Sequence, residues 1–244
     1  MATPMFIVTG FLDSGKTTMI KDALMEQEWI EPGLTLLLLC EEGEEEYPEE
    51  YLKEKNMAVL KIEEFEQLNT VFFKNCERNY HPAQIVIEYN GMWKLEDLLS
   101  IRYPRSFELQ GVYSTVNGMT LDMYLMNMRN MLMEQLTESE LIVVNRCADG
   151  VNRSGFRRAL KVQNPMAQLL FEDMQGKIIE PSEEDLPYDV KGDKIVLDDV
   201  DLEYGMWMHM IIRNYIFIKR LILKDRSFGR RGCRTICSFR SERS

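Results

Sequence analysis

Met5-Phe6-Ile7-Val8-Thr9-Gly10-Phe11-Leu12-Asp13-Ser14-Gly15-Lys16-Thr17-Thr18 starts as a short apolar run and turns at once into a loop bounded by glycines and closed by a lysine and two hydroxyls. The loop matches G-x-x-x-x-G-K-[ST] at every fixed position. Apolar Met19, Ile20, Ala23 and Leu24 follow at helical spacing, so the loop joins a strand to a helix. Glycines let main-chain N–H groups converge on an oxyanion without a Cβ in the way. A helix beginning near Gly15 turns the positive end of its dipole toward that anion. Lys16 is then a point charge for the β- and γ-phosphates, and the Thr17 hydroxyl is a Mg²⁺ ligand. Gly10, Asp13, Ser14, Gly15, Lys16, Thr17 and Thr18 are the expected grip on the phosphate chain of a nucleoside triphosphate.

The remainder alternates strand-length apolar runs with amphipathic stretches, the pattern of a parallel sheet with crossover helices. Strands are expected at Met5–Thr9, Thr35–Cys40, Ala58–Ile62, Gln84–Glu88, Gly111–Val116, Glu140–Asn145 and Ala167–Phe171. Helices are expected at Lys16–Glu28, Pro48–Lys55, Phe65–Asn79, Lys94–Ile101, Leu121–Leu136 and Gly155–Val162. About six βα units imply an α/β fold: a doubly wound, mostly parallel sheet of P-loop NTPase type over residues 1–178. The methionines between Met119 and Met133 have the spacing of a core helix, with a partner surface as the other reading.

Residues 179–244 read differently. Glu180–Asp189, rich in proline and acidic residues, is a linker, and Lys194–Leu197 is a strand candidate. Residues 205–244 hold ten Arg or Lys against two acids, leaving the preceding 204 residues with 19 basic and 38 acidic side chains. This basic end is expected to be a truncated or partly ordered segment, with nucleic-acid or acidic-membrane contact as the alternative. The acidic body does not fit a nucleic-acid binder. Five scattered cysteines and two histidines fit a reduced compartment rather than a disulfide framework or a Cys/His zinc site. No run reaches the ~18 apolar residues of a membrane span. The opening apolar run leads straight into the phosphate loop with no cleavage site, so the chain reads as cytoplasmic.

Parallel strands place their C-terminal ends on one rim, where the phosphate loop also lies. Three other strand ends carry chemistry. Glu88-Tyr89-Asn90-Gly91 gives a carboxylate that can reach the Mg²⁺ shell or orient the attacking water. Gly91 adds a backbone N–H for the γ-phosphate. Asn145-Arg146-Cys147-Ala148-Asp149 resembles the Asn-Lys-x-Asp loop that reads guanine, with Arg146 in place of lysine and Asp149 one residue late; a guanidinium can still stack on the base. Cys40-Glu41-Glu42-Gly43-Glu44-Glu45-Glu46 is either a solvated loop or a source of a carboxylate, Glu41, for Mg²⁺ or, with Cys40, for a transition metal.

In this order the motifs resemble the CobW/UreG/HypB-type P-loop GTPases, the CobW branch above all. Residues 8–18 are similar to that branch's phosphate loop, Glu41–Glu44 to its Asn-Glu-Phe-Gly-Glu segment, and Glu88–Gly91 to its Glu-x-x-Gly motif. Val112–Gly118 with Glu134 and Gln135 is similar to its fifth strand and following helix, and Asn145-Arg146 stands where its guanine loop falls. The resemblance spans residues 3–172. It implies a slow GTPase whose loops move on hydrolysis and pass a signal or a metal to a partner such as a client metalloprotein. Thr17 and Glu88 would hold Mg²⁺, Lys16 the γ-phosphate of GTP, and Asn145 the base. The family's Cys-x-Cys-Cys metal motif is missing, Lys61-Ile62-Glu63-Glu64 occupying the region, and Asn117 stands where an aspartate usually ends the fifth strand.

Two other functions fit the loop alone. A small-molecule kinase would need a basic lid, from Arg102, Arg105 or Arg153–Arg158. A non-hydrolysing nucleotide-binding scaffold would tolerate Asn117 and the displaced Asp149. All three readings share one expectation: Lys16→Ala abolishes triphosphate binding in a calorimetric titration while the far-UV circular dichroism stays that of the wild type.

Overall fold

Met5 and Ile7 lie on one face of strand β1 (Thr3–Thr9), Phe6 and Val8 on the other, and all four are buried. A strand apolar on both faces must be covered on both. The computed structural model describes residues 2–24, 32–43 and 45–179. In it β1 is the middle of one sheet with β2 (Thr35–Leu39), β3 (Met57–Lys61), β4 (Gln84–Glu88), β5 (Phe107–Asn117), β6 (Leu141–Cys147) and β7 (Gln168–Asp173). The order is β3-β2-β4-β1-β5-β6-β7, and every pairing is parallel rather than mostly so.

Helices cover both faces. Helix α1 (Lys16–Met19) runs into a wider π-helical turn, Ile20–Leu24; Ile20 packs with Phe6, Val8, Leu37 and Val86. Tyr51 and Leu52 of α2 (Glu49–Glu54) join that side. On the opposite face, α3 (Thr70–Tyr80) and α4 (Leu95–Leu99) bury Phe73, Leu95 and Leu98 against Met5, Ile7, Leu36 and Ile87. Further along, α5 (Leu121–Asn127), α6 (Arg129–Leu136) and α7 (Arg153–Gln163) pack on Val116, Ile142, Val144 and Phe171.

Several expected elements are shorter or broken, for local reasons. The helix expected from Phe65 starts at Thr70, because the Asn69 side chain caps the N–H groups of Val71 and Phe72, both at 3.1 Å. Ahead of it stands a separate 3-10 turn, Phe65–Gln67, closed by a reciprocal Glu64/Gln67 capping box. The single helix expected over Leu121–Leu136 is two. The Asn127 side chain donates to the Met123 carbonyl at 2.9 Å, competing for the i−4 acceptor, and the chain bends at Met128. Strand β5 begins at Phe107 rather than Gly111; Glu108 and Leu109 pair with Pro4 and Met5, and a register shift between Met5 and Phe6 absorbs Gln110.

The methionine stretch divides as well. Met133 is buried, but Met119, Met123 and Met126 are 63%, 48% and 78% exposed, so the core reading holds only for its second half. Met25–Glu28 of the first expected helix, the linker Glu180–Asp189, the strand candidate Lys194–Leu197 and the basic segment 205–244 lie outside the described residues.

Ile87 is fully buried in β4, between β2 and β1. Ile87→Ala should cost about 2–5 kcal/mol through lost transfer energy and the cavity left behind, read as a lower urea midpoint with an unchanged m-value.

Candidate functional site

The chain leaves β1, builds β2 and β3 on one side, and returns to insert β4 between β2 and β1; β5 then adds on the other side. The strand order therefore reverses at β1, and crevices for ligands open at such points, beyond the carboxyl ends of the strands. Register puts Glu88 opposite Val8, and Asn145 opposite Asn117 one strand beyond β5. The phosphate loop, Glu88, Gly91 and Asn145 thus meet on one rim.

Backbone geometry at this rim is tight. Gly10 (φ 133°) and Gly15 (φ 101°) hold conformations that L side chains rarely adopt. A Cβ on Gly91 would fall 2.2 Å from the Gly10 carbonyl oxygen and 2.7 Å from Phe11 Cα. Asp13 (φ 57°) and Arg146 (φ 50°) are left-handed without being glycine, and they are joined: the Arg146 guanidinium donates to the Asp13 carbonyl at 2.7 Å. The Asn145 amide donates to the Ser14 carbonyl, also at 2.7 Å. Ser14 Oγ turns away from the cleft, onto Thr115 of β5 at 2.7 Å.

The cleft has a volume of about 310 Å³, and its walls include Asp13, Gly15, Lys16, Thr17, Glu41, Glu88 and Arg146. Lys16 does not project freely into it, as its place at a helix start suggested. It is 3% exposed, and its ammonium folds under the loop to donate to the carbonyls of Gly10 (2.9 Å) and Phe11 (3.0 Å) and to the carboxylate of Glu41. Glu88 is equally buried. One of its oxygens accepts from Thr17 Oγ1 at 2.7 Å, the other from Tyr47 Oη at 2.5 Å. Burial pushes the Glu88 carboxyl up; the Tyr47 and Thr17 hydroxyls pull the other way. Burial and the Glu88 charge both push the Tyr47 phenol up, so it stays a donor.

Some expected residues sit elsewhere. The Thr18 hydroxyl faces Glu45, at 2.5 Å, rather than the cleft. Glu41 meets Lys16, not the Thr17–Glu88 pair. Cys40 belongs to the core, with its thiol pushed up to about 12 by burial and then by Glu88. Among the described residues no group of three or more His, Cys, Asp or Glu gathers to hold a metal. A thiolate site built on Cys40 therefore has no support there. Asp149 is exposed, in the turn after β6.

Sequence reading missed Tyr47 and Lys21, and it named Glu45 and Gln135 without assigning either a contact at the site. Gln135, 1% exposed, accepts from Thr9 Oγ1 at 2.5 Å and donates to the Trp93 carbonyl at 2.7 Å, tying the strand before the loop to the segment after Gly91. A glutamine in an amphipathic helix gives no hint of this; a tyrosine ending an acidic run was the one visible anomaly.

Residues 4–170 match the model of the CobW/HypB/UreG nucleotide-binding domain. The chain belongs to this family. No curated protein matches it closely. Among solved structures it is similar to Zn(II)-bound YjiA GTPase from E. coli, at 19% identity over 83% of this chain and 69% of that one, with a TM-score of 0.50. A Zn(II)-bound triple mutant of YjiA GTPase gives 18%, 82%, 68% and 0.52. The hydrogenase maturation factor HypB from Archaeoglobus fulgidus gives 15%, 71%, 82% and 0.49. At such identities the YjiA likeness shows the fold of this CobW/HypB/UreG member and nothing finer.

The contact of Gly91 with Gly10 offers a direct test. Gly91→Ala sets a methyl group against main chain that cannot rotate away. It should cost roughly 1–3 kcal/mol in thermal stability and weaken nucleotide binding, since the displaced backbone is the phosphate loop.

Proposed function

We propose that the chain is a Mg²⁺-dependent GTP-binding protein that hydrolyses GTP slowly and works in a regulatory or metallochaperone-like role. The observation that carries this is the buried contact of Thr17 Oγ1 with Glu88 at 2.7 Å, beside Lys16 on the same loop. A hydroxyl and a carboxylate converging at the mouth of a phosphate loop form the oxygen donor set that Mg²⁺ prefers. When bound there, Mg²⁺ supplies charge neutralisation at the β- and γ-phosphate oxygens.

The chain's own groups do the rest. Lys16, anchored on two loop carbonyls, gives its third N–H to Glu41 and would turn that N–H to a phosphate oxygen when nucleotide enters. Glu88 holds its orientation through two hydroxyl donors and would align the attacking water. A side chain at Gly91 would force the loop apart, and the Gly91 N–H would serve the γ-phosphate. For the base, Asn145 Oδ1 is a buried acceptor with no hydrogen-bond partner, which fits an N–H of guanine, and the Arg146 guanidinium flanks the cleft for stacking.

Two observations weigh against the kinase alternative. Arg105 precedes β5, next to Ser106, whose carbonyl accepts from Thr3 at the start of β1, about 20 Å along the strand from the loop. Arg157 is buried against the Phe171 ring, with its guanidinium 5.0 Å from the centroid. Neither forms a lid. Cys40, Cys76 and Cys147 are free and buried, which supports a reduced, cytoplasmic setting, and no described helix is long and apolar enough to cross a membrane.

Titrations of GTP and ATP, each with Mg²⁺ and with EDTA, test the proposal. GTP should bind more tightly than ATP, and more tightly with Mg²⁺ than without. Glu88→Gln should keep GTP affinity in EDTA, lose the Mg²⁺ enhancement, and slow phosphate release by about 100-fold or more. ATP binding as tight as GTP would remove the guanine assignment; bound GTP with no phosphate release would favour the scaffold reading.

A further inference from the structure

The connection between β2 and α2 brings three side chains against the phosphate loop, helix α1 and Glu88. The Glu41 carboxylate accepts from the Lys16 ammonium, whose other two donors go to the carbonyls of Gly10 and Phe11. An ammonium has three N–H donors, so Lys16 is fully engaged. Glu45 accepts from Thr18 Oγ1 at 2.5 Å and from Lys21 Nζ at 2.8 Å. Tyr47 donates to Glu88 at 2.5 Å while the Lys21 ammonium sits 5.3 Å above its ring. Lys21 also donates to the Glu46 carbonyl at 2.6 Å, so one lysine pins both anchors.

The signs of these contacts are those of a ligand. An anion, Glu41, sits on the cation that would meet a phosphate oxygen. A donor, Tyr47, sits on the carboxylate that would meet a divalent cation or its water. Among the described residues only Glu41 puts a carboxylate on the Lys16 ammonium; Glu45 and Tyr47 make their contacts further along the same connection.

We propose that Glu41 is an internal competitor for Lys16, held in place by Glu45 and Tyr47, so that a triphosphate binds only as this connection is displaced. The proposal rests on the nucleotide reading of the site and adds its regulation. Apparent affinity is then the intrinsic affinity scaled by the fraction of molecules with Lys16 released. Anything that lifts the connection raises affinity without touching the nucleotide.

The experiment is calorimetric titration of the full chain with GTP and with inorganic tripolyphosphate, in EDTA and in Mg²⁺, at physiological salt. Glu41→Gln should tighten both ligands about 10-fold in EDTA. Glu45→Gln, which loosens an anchor, should tighten them by about 3-fold. Glu42→Gln is the control for bulk charge: Glu42 pairs with the exposed Lys61 rather than with Lys16, so affinity should stay within about 2-fold.

Glu41→Gln binding no tighter than wild type in EDTA would overturn the proposal. So would weakening confined to Mg²⁺, which makes Glu41 a cation ligand, or an equal gain in Glu42→Gln, which makes the effect one of net charge. Wild type that binds GTP beside an unimproved Glu41→Gln defeats the competitor alone. If neither protein binds either ligand, the nucleotide reading falls with it. Binding by Glu41→Gln where wild type binds nothing is the strongest support.

Discussion

Two glycines on neighbouring strand ends, Gly10 after β1 and Gly91 after β4, come so close that a side chain at Gly91 would strike the Gly10 carbonyl, while one at Gly10 would strike Thr115 of β5. This approach follows from β4 inserting between β2 and β1, which brings residues far apart in the chain within bonding distance: the Tyr89 N–H donates to the Val8 carbonyl at 2.8 Å. The phosphate loop, the Glu88 carboxylate and the Gly91 N–H are fixed relative to one another by main chain. Side-chain rotamers then have only small adjustments left to make, which is what a preorganised anion site requires.

Around that frame the electrostatics are arranged in opposed pairs. Glu88 is buried where a bare carboxylate would be costly, and two hydroxyl donors offset part of that cost. Burial raises Glu45 too, but the Lys21 ammonium and Thr18 hydroxyl outweigh it and hold its carboxyl below the ordinary range. The acidic run after β2 is therefore not uniform. Glu42 reaches the exposed Lys61, Glu41 turns inward onto Lys16, and Glu45 pairs with Lys21 nearer the surface.

What could be read in advance follows from this division. The loop, β4 and its terminal Glu88 were legible because they rest on local rules: glycine at positive φ, apolar runs of strand length, and the shared rim of parallel strands. The helix breaks at Asn69 and Asn127 were not, because each depends on which carbonyl or N–H an asparagine side chain selects. Tyr47, Glu45 and Gln135 were hidden for a different reason. Their partners, Glu88, Thr18, Thr9 and Trp93, lie 27 to 126 residues away, each in another element or loop. The exposed half of the methionine stretch shows the limit of spacing arguments: the same periodicity serves a buried face and a bare one, and only the neighbouring element decides.

The pairing of β1 with strands that come much later in the chain has a consequence during synthesis. Met5 meets Ile85 and Thr3 meets Phe107, so the first strand has no sheet neighbour until β4 has emerged from the ribosome, and lacks its second until β5 follows. Until then its apolar faces are uncovered and its unpaired edges open to other chains, the condition under which non-local sheets fold slowly and associate wrongly. The loop that follows β1 is thus made well before the strands that flank it and must wait to take shape, which leaves this stretch of the nascent chain open to wrong association in the meantime.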